Sequence, residues 1–146
     1  MPNRIHVAFV AGLLATAAFG IAQTTPQLKE VPVKQTSPAS GKQMYTTYCA
    51  VCHGADGRGN GPAAAALKDH PTDLVQLAKE NGGKFPGPHV YAVLQFGTNT
   101  PAHGSKDMPI WGPTLRSLSE GGSVGDLELH QRIANLTNYL RTIQQQ

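Results

Sequence analysis

The chemistry of this 146-residue chain concentrates at Cys49-Ala50-Val51-Cys52-His53, which holds both of its cysteines. Two thiols three residues apart near the end of a helix lie on neighbouring faces, so each sulfur can add to one vinyl group of the same porphyrin. The next residue, His53, is then held beneath the ring with a nitrogen aimed at the iron. The motif reads as covalent attachment of one haem c through Cys49 and Cys52, with His53 as an iron ligand. Three other readings fit less well. A thioredoxin-like redox pair belongs in a βαβ setting, whereas the residues before Cys49 are patterned as helix. A zinc site takes four ligands, usually as two separated pairs, and the sequence has no second cysteine pair. A plain disulfide leaves His53 unexplained.

A six-coordinate iron needs a second ligand opposite His53. Apart from the initiator, Met44 and Met108 are the candidate thioethers. Met44 lies on the helix entering the motif, too near the attachment point to reach the other face. Met108 falls in a loop between helices, and Pro109 restricts its backbone. A soft sulfur ligand favours Fe(II) over Fe(III) and raises the potential. The alternative is that Met108 fills a gap in the core. His70, His89, His103 and His130 are rival donors, and His103 shares the loop with Met108. Pro62 has no amide proton, and its carbonyl is a candidate acceptor for the outer ring nitrogen of His53, against an ordinary loop proline. Trp111 is either core or an indole donor to a haem propionate, and both roles are compatible.

The elements that must position these residues follow from periodicity. Residues 1–22 read as a secretory signal: Arg4 gives a positive start, Val7 to Ala22 is almost wholly apolar, and Gly20 and Ala22 suit a signal peptidase. An uncleaved membrane anchor is the alternative, although about 16 apolar residues are short for a ~30 Å hydrocarbon core. Residues 23–38, with Pro26, Pro32 and Pro38, read as an extended linker. Residues 39–146 form the remaining domain. Gly41, Tyr45, Cys49 and Cys52 share one helix face, and a glycine there predicts the close approach of another backbone. Thr72 or Asp73 caps a helix over residues 74–81, a further helix spans 89–96, and residues 98–112 read as loop. Asp126 caps a final helix carrying Leu129, Ile133, Leu136, Leu140 and Ile143 at steps of three or four. No strand is convincing, and the fold class is all-α.

The glycines of residues 54–61 match neither a phosphate loop, a dinucleotide turn nor a calcium loop, where Arg58 falls on a ligand position. Gly 16, Pro 11 and 6% aromatics leave little side-chain core, a deficit that a buried porphyrin would fill. The formal charge of +3 falls by one with Arg4, and two propionates would cancel the remainder. The scattered basic residues exclude a nucleic-acid surface.

Together these residues resemble class I c-type cytochromes, the small soluble monohaem electron carriers, over residues 37–146. The resemblance rests on Gly41 and Tyr45 before Cys49-Ala-Val-Cys-His53, then Gly61-Pro62, then Asp107-Met-Pro-Ile-Trp-Gly112, and a terminal helix with Leu136, Tyr139 and Leu140. The Met-Pro-x-Trp-Gly stretch is similar to bacterial cytochromes associated with respiratory oxidases. The resemblance implies four to five short helices wrapped around one haem, with the first and last crossing near Gly41. It also implies that the Pro62 carbonyl holds His53 and that Met108 is the distal ligand. The departure is a long glycine-rich segment between Phe85 and Met108, which includes His103.

The function implied is an exported, periplasmic electron carrier in a respiratory chain, monomeric and not an enzyme in itself. Its partners would be redox proteins such as a membrane oxidase or reductase complex, and it would meet the membrane only through an uncleaved leader. Lys79, Lys84 and Lys106 are candidates to steer an acidic partner, against a plain solvated scatter. A haem c subunit of a larger oxidase, dehydrogenase or sulfur-oxidising complex is the alternative. A ligand-binding haem protein is a third reading, against which Met108 argues.

Overall fold

Ser40 starts the first helix: its Oγ accepts from the Gln43 amide at 3.1 Å, satisfying one of the otherwise orphaned first-turn donors. In the computed structural model, which describes residues 32–97, 108–119 and 121–145, this helix (α1) runs over residues 41–53. It is not uniform. Gly41–Met44 is α-helical, Tyr45–Cys49 forms a π turn in which the Ala50 amide reaches back to the Tyr45 carbonyl, and Ala50–His53 returns to α. The wider turn rotates Cys52 and His53 about the axis relative to the face that carries Gly41 and Tyr45. An unbroken 3.6-residue period would have kept Gly41, Tyr45, Cys49 and Cys52 on one face.

The glycine-rich loop after α1 folds back and satisfies the carbonyls that the helix end leaves open. Gly59 donates to His53 at 2.8 Å, Gly61 to Cys52 at 3.0 Å and Ala63 to Val51 at 2.9 Å. A short 3₁₀ turn, Ala64–Ala66, follows. The next helix, α2, covers only Leu77–Glu80, shorter than the expected 74–81. Asp73 spends its carboxylate on the Val75 amide at 3.0 Å, which makes a turn there instead of a cap.

Helix α3, Gly87–Phe96, takes Pro88 into its first turn and buries Val90 and Leu94. The stretch expected to be loop to residue 112 ends earlier, because Trp111–Arg116 forms α4. A Cβ on Gly112 would stand 2.2 Å from the Gln95 carbonyl oxygen, so α4 begins against the backbone of α3 at a spot only glycine can occupy. Helix α5 spans Gly122–Thr142 and starts four residues before Asp126, the expected cap. Asp126 instead pairs with Arg116 Nε at 2.8 Å.

The described helices α1, α3, α4 and α5 close over Met44, Tyr45, Leu94, Leu115, Ile133, Leu136 and Leu140, all buried. Each such aliphatic side chain contributes about 1.5–3 kcal/mol. The α1–α5 crossing is at Gly41, where a Cβ would lie 2.1 Å from the Asn135 carbonyl oxygen, as the sequence predicted. The rings of Tyr45 and Tyr139 meet beside it, 5.3 Å between centroids. No strand occurs among the described residues, and the all-α expectation is met.

The expected linker does not extend to residue 38. Thr36 is buried, and the Pro38 carbonyl accepts from Asn135 Nδ2 at 2.9 Å, because this segment supplies acceptors that α5 needs. The described residues belong to one compact unit, Pro32–Gln146. None of their helices is long and apolar enough to cross a membrane. The signal segment 1–22, the linker to residue 31, His103 and Lys106 lie outside the described residues.

Candidate functional site

The last turn of α1 carries Cys49, Cys52 and His53, so their relative placement is set by the helix itself. Cys49 is buried, Cys52 half-buried, and both thiols are free. Burial, with Cys52 adding to it, pushes the Cys49 thiol up to about 12. A redox-active thiol needs the opposite shift, since the thiolate is the nucleophile. Nor does any cluster of three or more His, Cys, Asp and Glu among the described residues suit a metal ion by itself. Cys49 therefore lacks the electrostatics of a reactive redox thiol, whereas thioether formation needs two free sulfurs, which this pair supplies.

His53 Nδ1 lies 3.0 Å from the Thr72 carbonyl oxygen. A carbonyl only accepts, so Nδ1 carries the proton and donates. Burial holds the imidazole below its ordinary pKa, with the Thr72 contact opposing less strongly. The ring is therefore neutral near pH 7, and its Nε2 keeps a lone pair for a metal. The sequence had pointed to the Pro62 carbonyl for this role, and here the structure corrects it. Gly61 and Ala63 are both bonded back to α1, which holds exposed Pro62 along the outside of the helix end. Meanwhile the Leu74 amide binds the Gly57 carbonyl at 2.7 Å and draws residues 70–74 under the loop, delivering Thr72 to His53. No sequence signal marks Thr72, because every residue has a carbonyl.

Met108 is half-buried and packs against the core, three residues ahead of α4. Trp111 is the link between this segment and the attachment motif. Its indole stacks on the ring of Tyr48, 5.7 Å between centroids and 30° between planes, and Tyr48 immediately precedes Cys49. Core packing is therefore what the structure assigns to Trp111. The stack brings the Met108 segment to the side of the fold that carries Cys49. Of the rival donors, His70 bonds the Pro71 carbonyl through Nδ1 at 3.0 Å, and His130 bonds that of Asp126 at 2.7 Å.

Sequence reading also passed over Tyr48, Thr36 and Arg132. Arg132 is only 2% exposed, and its Nε and Nη2 bind Glu128 Oε1 at 3.0 and 2.6 Å. One signal was available: Glu128 and Arg132 stand one turn apart on α5, adjacent to the apolar positions Leu129, Ile133 and Leu136.

These residues fit a covalently held porphyrin: two unpaired sulfurs, a neutral imidazole oriented through Nδ1, and a thioether on a core-anchored segment. The sequence model of the cytochrome c family matches residues 38–144. No curated protein matches the chain significantly.

Proposed function

Because the chain belongs to the cytochrome c family, and is thus a haem c protein of electron transfer, we infer that it carries single electrons on a haem ligated by His53 and Met108. Haem c supplies a one-electron Fe(II)/Fe(III) couple. The chain's own residues prepare for it. Cys49 and Cys52 would hold it through thioether bonds to its two vinyl groups, sulfur going to one vinyl carbon and hydrogen to the other, so attachment would need no oxidant. His53 presents Nε2 while Thr72 fixes the ring. Met108 offers a soft sulfur that stabilises Fe(II) and raises the potential. A pair of strong protein ligands leaves little to rearrange when the charge changes. The observation that carries this reading is the Nδ1–Thr72 hydrogen bond on a histidine directly after two free cysteines.

The optical spectrum of the ferric protein tests it, through the weak far-red methionine-to-iron band, followed by carbon monoxide added to the reduced form. The band with no carbon monoxide shift is expected. Met108→His should remove the band and lower the reduction potential while the iron stays six-coordinate. An unchanged potential would remove Met108 from the ligand set.

Export to the periplasm and service in a respiratory chain complete the proposal, supported by the apolar run from Val7 to Ala22 behind Arg4. N-terminal sequencing of the mature protein checks it, with a start at Gln23 expected. A second reading, a haem c subunit of a larger oxidase, dehydrogenase or sulfur-oxidising complex, is favoured by Val124 and Leu127. They stand one turn apart on α5 and are 58% and 73% exposed. Native-size measurement of the protein isolated from its source separates a monomer from a stable complex.

A further inference from the structure

Tyr48 is buried beside the attachment motif, although haem attachment by itself requires no tyrosine there. Its phenol donates to the Lys34 carbonyl and lies 2.9 Å from Thr36 Oγ1. With its single proton committed to Lys34, the phenol oxygen must accept from the Thr36 hydroxyl. Thr36 in turn accepts from Arg132 Nη1, at 3.2 Å through Oγ1 and at 2.9 Å through its backbone carbonyl. One directed chain of donors thus runs from a buried cation through Thr36 and Tyr48 to the backbone of residue 34. Glu128 balances the cation. Chains of this kind strengthen one another and specify geometry. An apolar filling of the same space would often match such a buried ion pair in stability, so its worth lies in placement.

The other face of Tyr48 shows what is placed. Its ring stacks on Trp111, which opens α4 three residues after Met108. We propose that Tyr48 is a positioning residue: residues 34–38 act as a strap that fixes its phenol, and its ring holds Trp111 so that Met108 stays at the iron. This rests on the reading of Met108 as the distal ligand. Ring and hydroxyl have separable jobs, so removing only the hydroxyl should loosen Met108 while the helices remain folded.

The experiment uses the full haem-loaded chain as wild type, Tyr48→Phe and Thr36→Val. Thr46→Ala serves as control, since the exposed Thr46 hydroxyl bonds only within its own helix, at the Lys42 and Gln43 carbonyls. The far-red methionine band and the helical circular dichroism are followed on heating, and carbon monoxide binding is timed on the reduced protein. The strap variants should lose the band about 5–10 °C before the helices melt. They should also bind carbon monoxide about tenfold faster, equivalent to about 1.4 kcal/mol. Thr46→Ala should behave as wild type. If band and helix midpoints fall together at an unchanged carbon monoxide rate, Tyr48 only stabilises the fold and the proposal is overturned. A wild type that shows no band overturns the Met108 reading and the proposal with it, before any variant is compared.

Discussion

Gly41→Ala tests the crossing on which the whole site is mounted. The added Cβ would stand 2.1 Å from the Asn135 carbonyl oxygen, 2.7 Å from its carbon and 2.8 Å from Tyr139 Cβ. Ordinary contact begins near 3.4 Å, so α1 and α5 must part by roughly 1 Å. Overpacking costs about 1–3 kcal/mol, and the upper end applies because the obstacle is backbone, which cannot change rotamer. Better helix propensity returns at most about 1 kcal/mol. A net loss of about 2 kcal/mol should lower the melting temperature of the haem-loaded protein by about 8 °C. Thermal unfolding followed by circular dichroism measures it. Gly121→Ala is the control, because a Cβ there meets nothing within 4 Å. A Gly41→Ala protein that melts at or above the wild-type temperature would refute the crossing.

Three further outcomes follow from the same geometry. Replacing Cys49 and Cys52 by Ala should abolish covalent haem, and haem that survives denaturing electrophoresis in that variant would contradict the attachment site. The Tyr45 phenol donates to the Gly54 carbonyl at 2.6 Å, and burial first, then the neighbouring Cys49, raises its pKa well above the ordinary value near 10. Above that pH the unfolded chain loses the phenolic proton and the folded chain keeps it, so stability should fall as pH rises. Tyr45→Phe should flatten the fall in urea titrations from pH 9 to 11, while costing about 1 kcal/mol at pH 7 through the lost hydrogen bond. Glu128→Ala leaves the Arg132 cation without its carboxylate and should cost about 3 kcal/mol in urea unfolding. That is the lower end for a buried pair, because Glu128 is 21% exposed. A loss below about 1 kcal/mol would mean that water reaches Arg132.

The sequence by itself determined the chemistry of attachment and the all-α class. Both depend on neighbours within a turn or two: the two-residue gap between Cys49 and Cys52, the adjacent His53, and the steps of three and four from Leu129 to Ile143. It also determined that something must approach Gly41, since the absence of a side chain is itself a local fact. Helix limits were less legible. Asp73 and Asp126 had the chemistry of caps, but side-chain acceptors serve turns and ion pairs as readily, and the Val75 amide and Arg116 claimed them.

Only the tertiary structure decided what holds the histidine and what ties the Met108 segment down. The His53 partner is a backbone carbonyl 19 residues away, and Arg132 reaches Thr36 across 96 residues. Neither pairing leaves a local pattern, because a carbonyl has no residue identity and the burial of Thr36 exists only after α5 has closed over it. The stack of Tyr48 on Trp111 has the same origin. It joins two segments that the chain keeps far apart, and packing around the α1–α5 crossing brings them face to face.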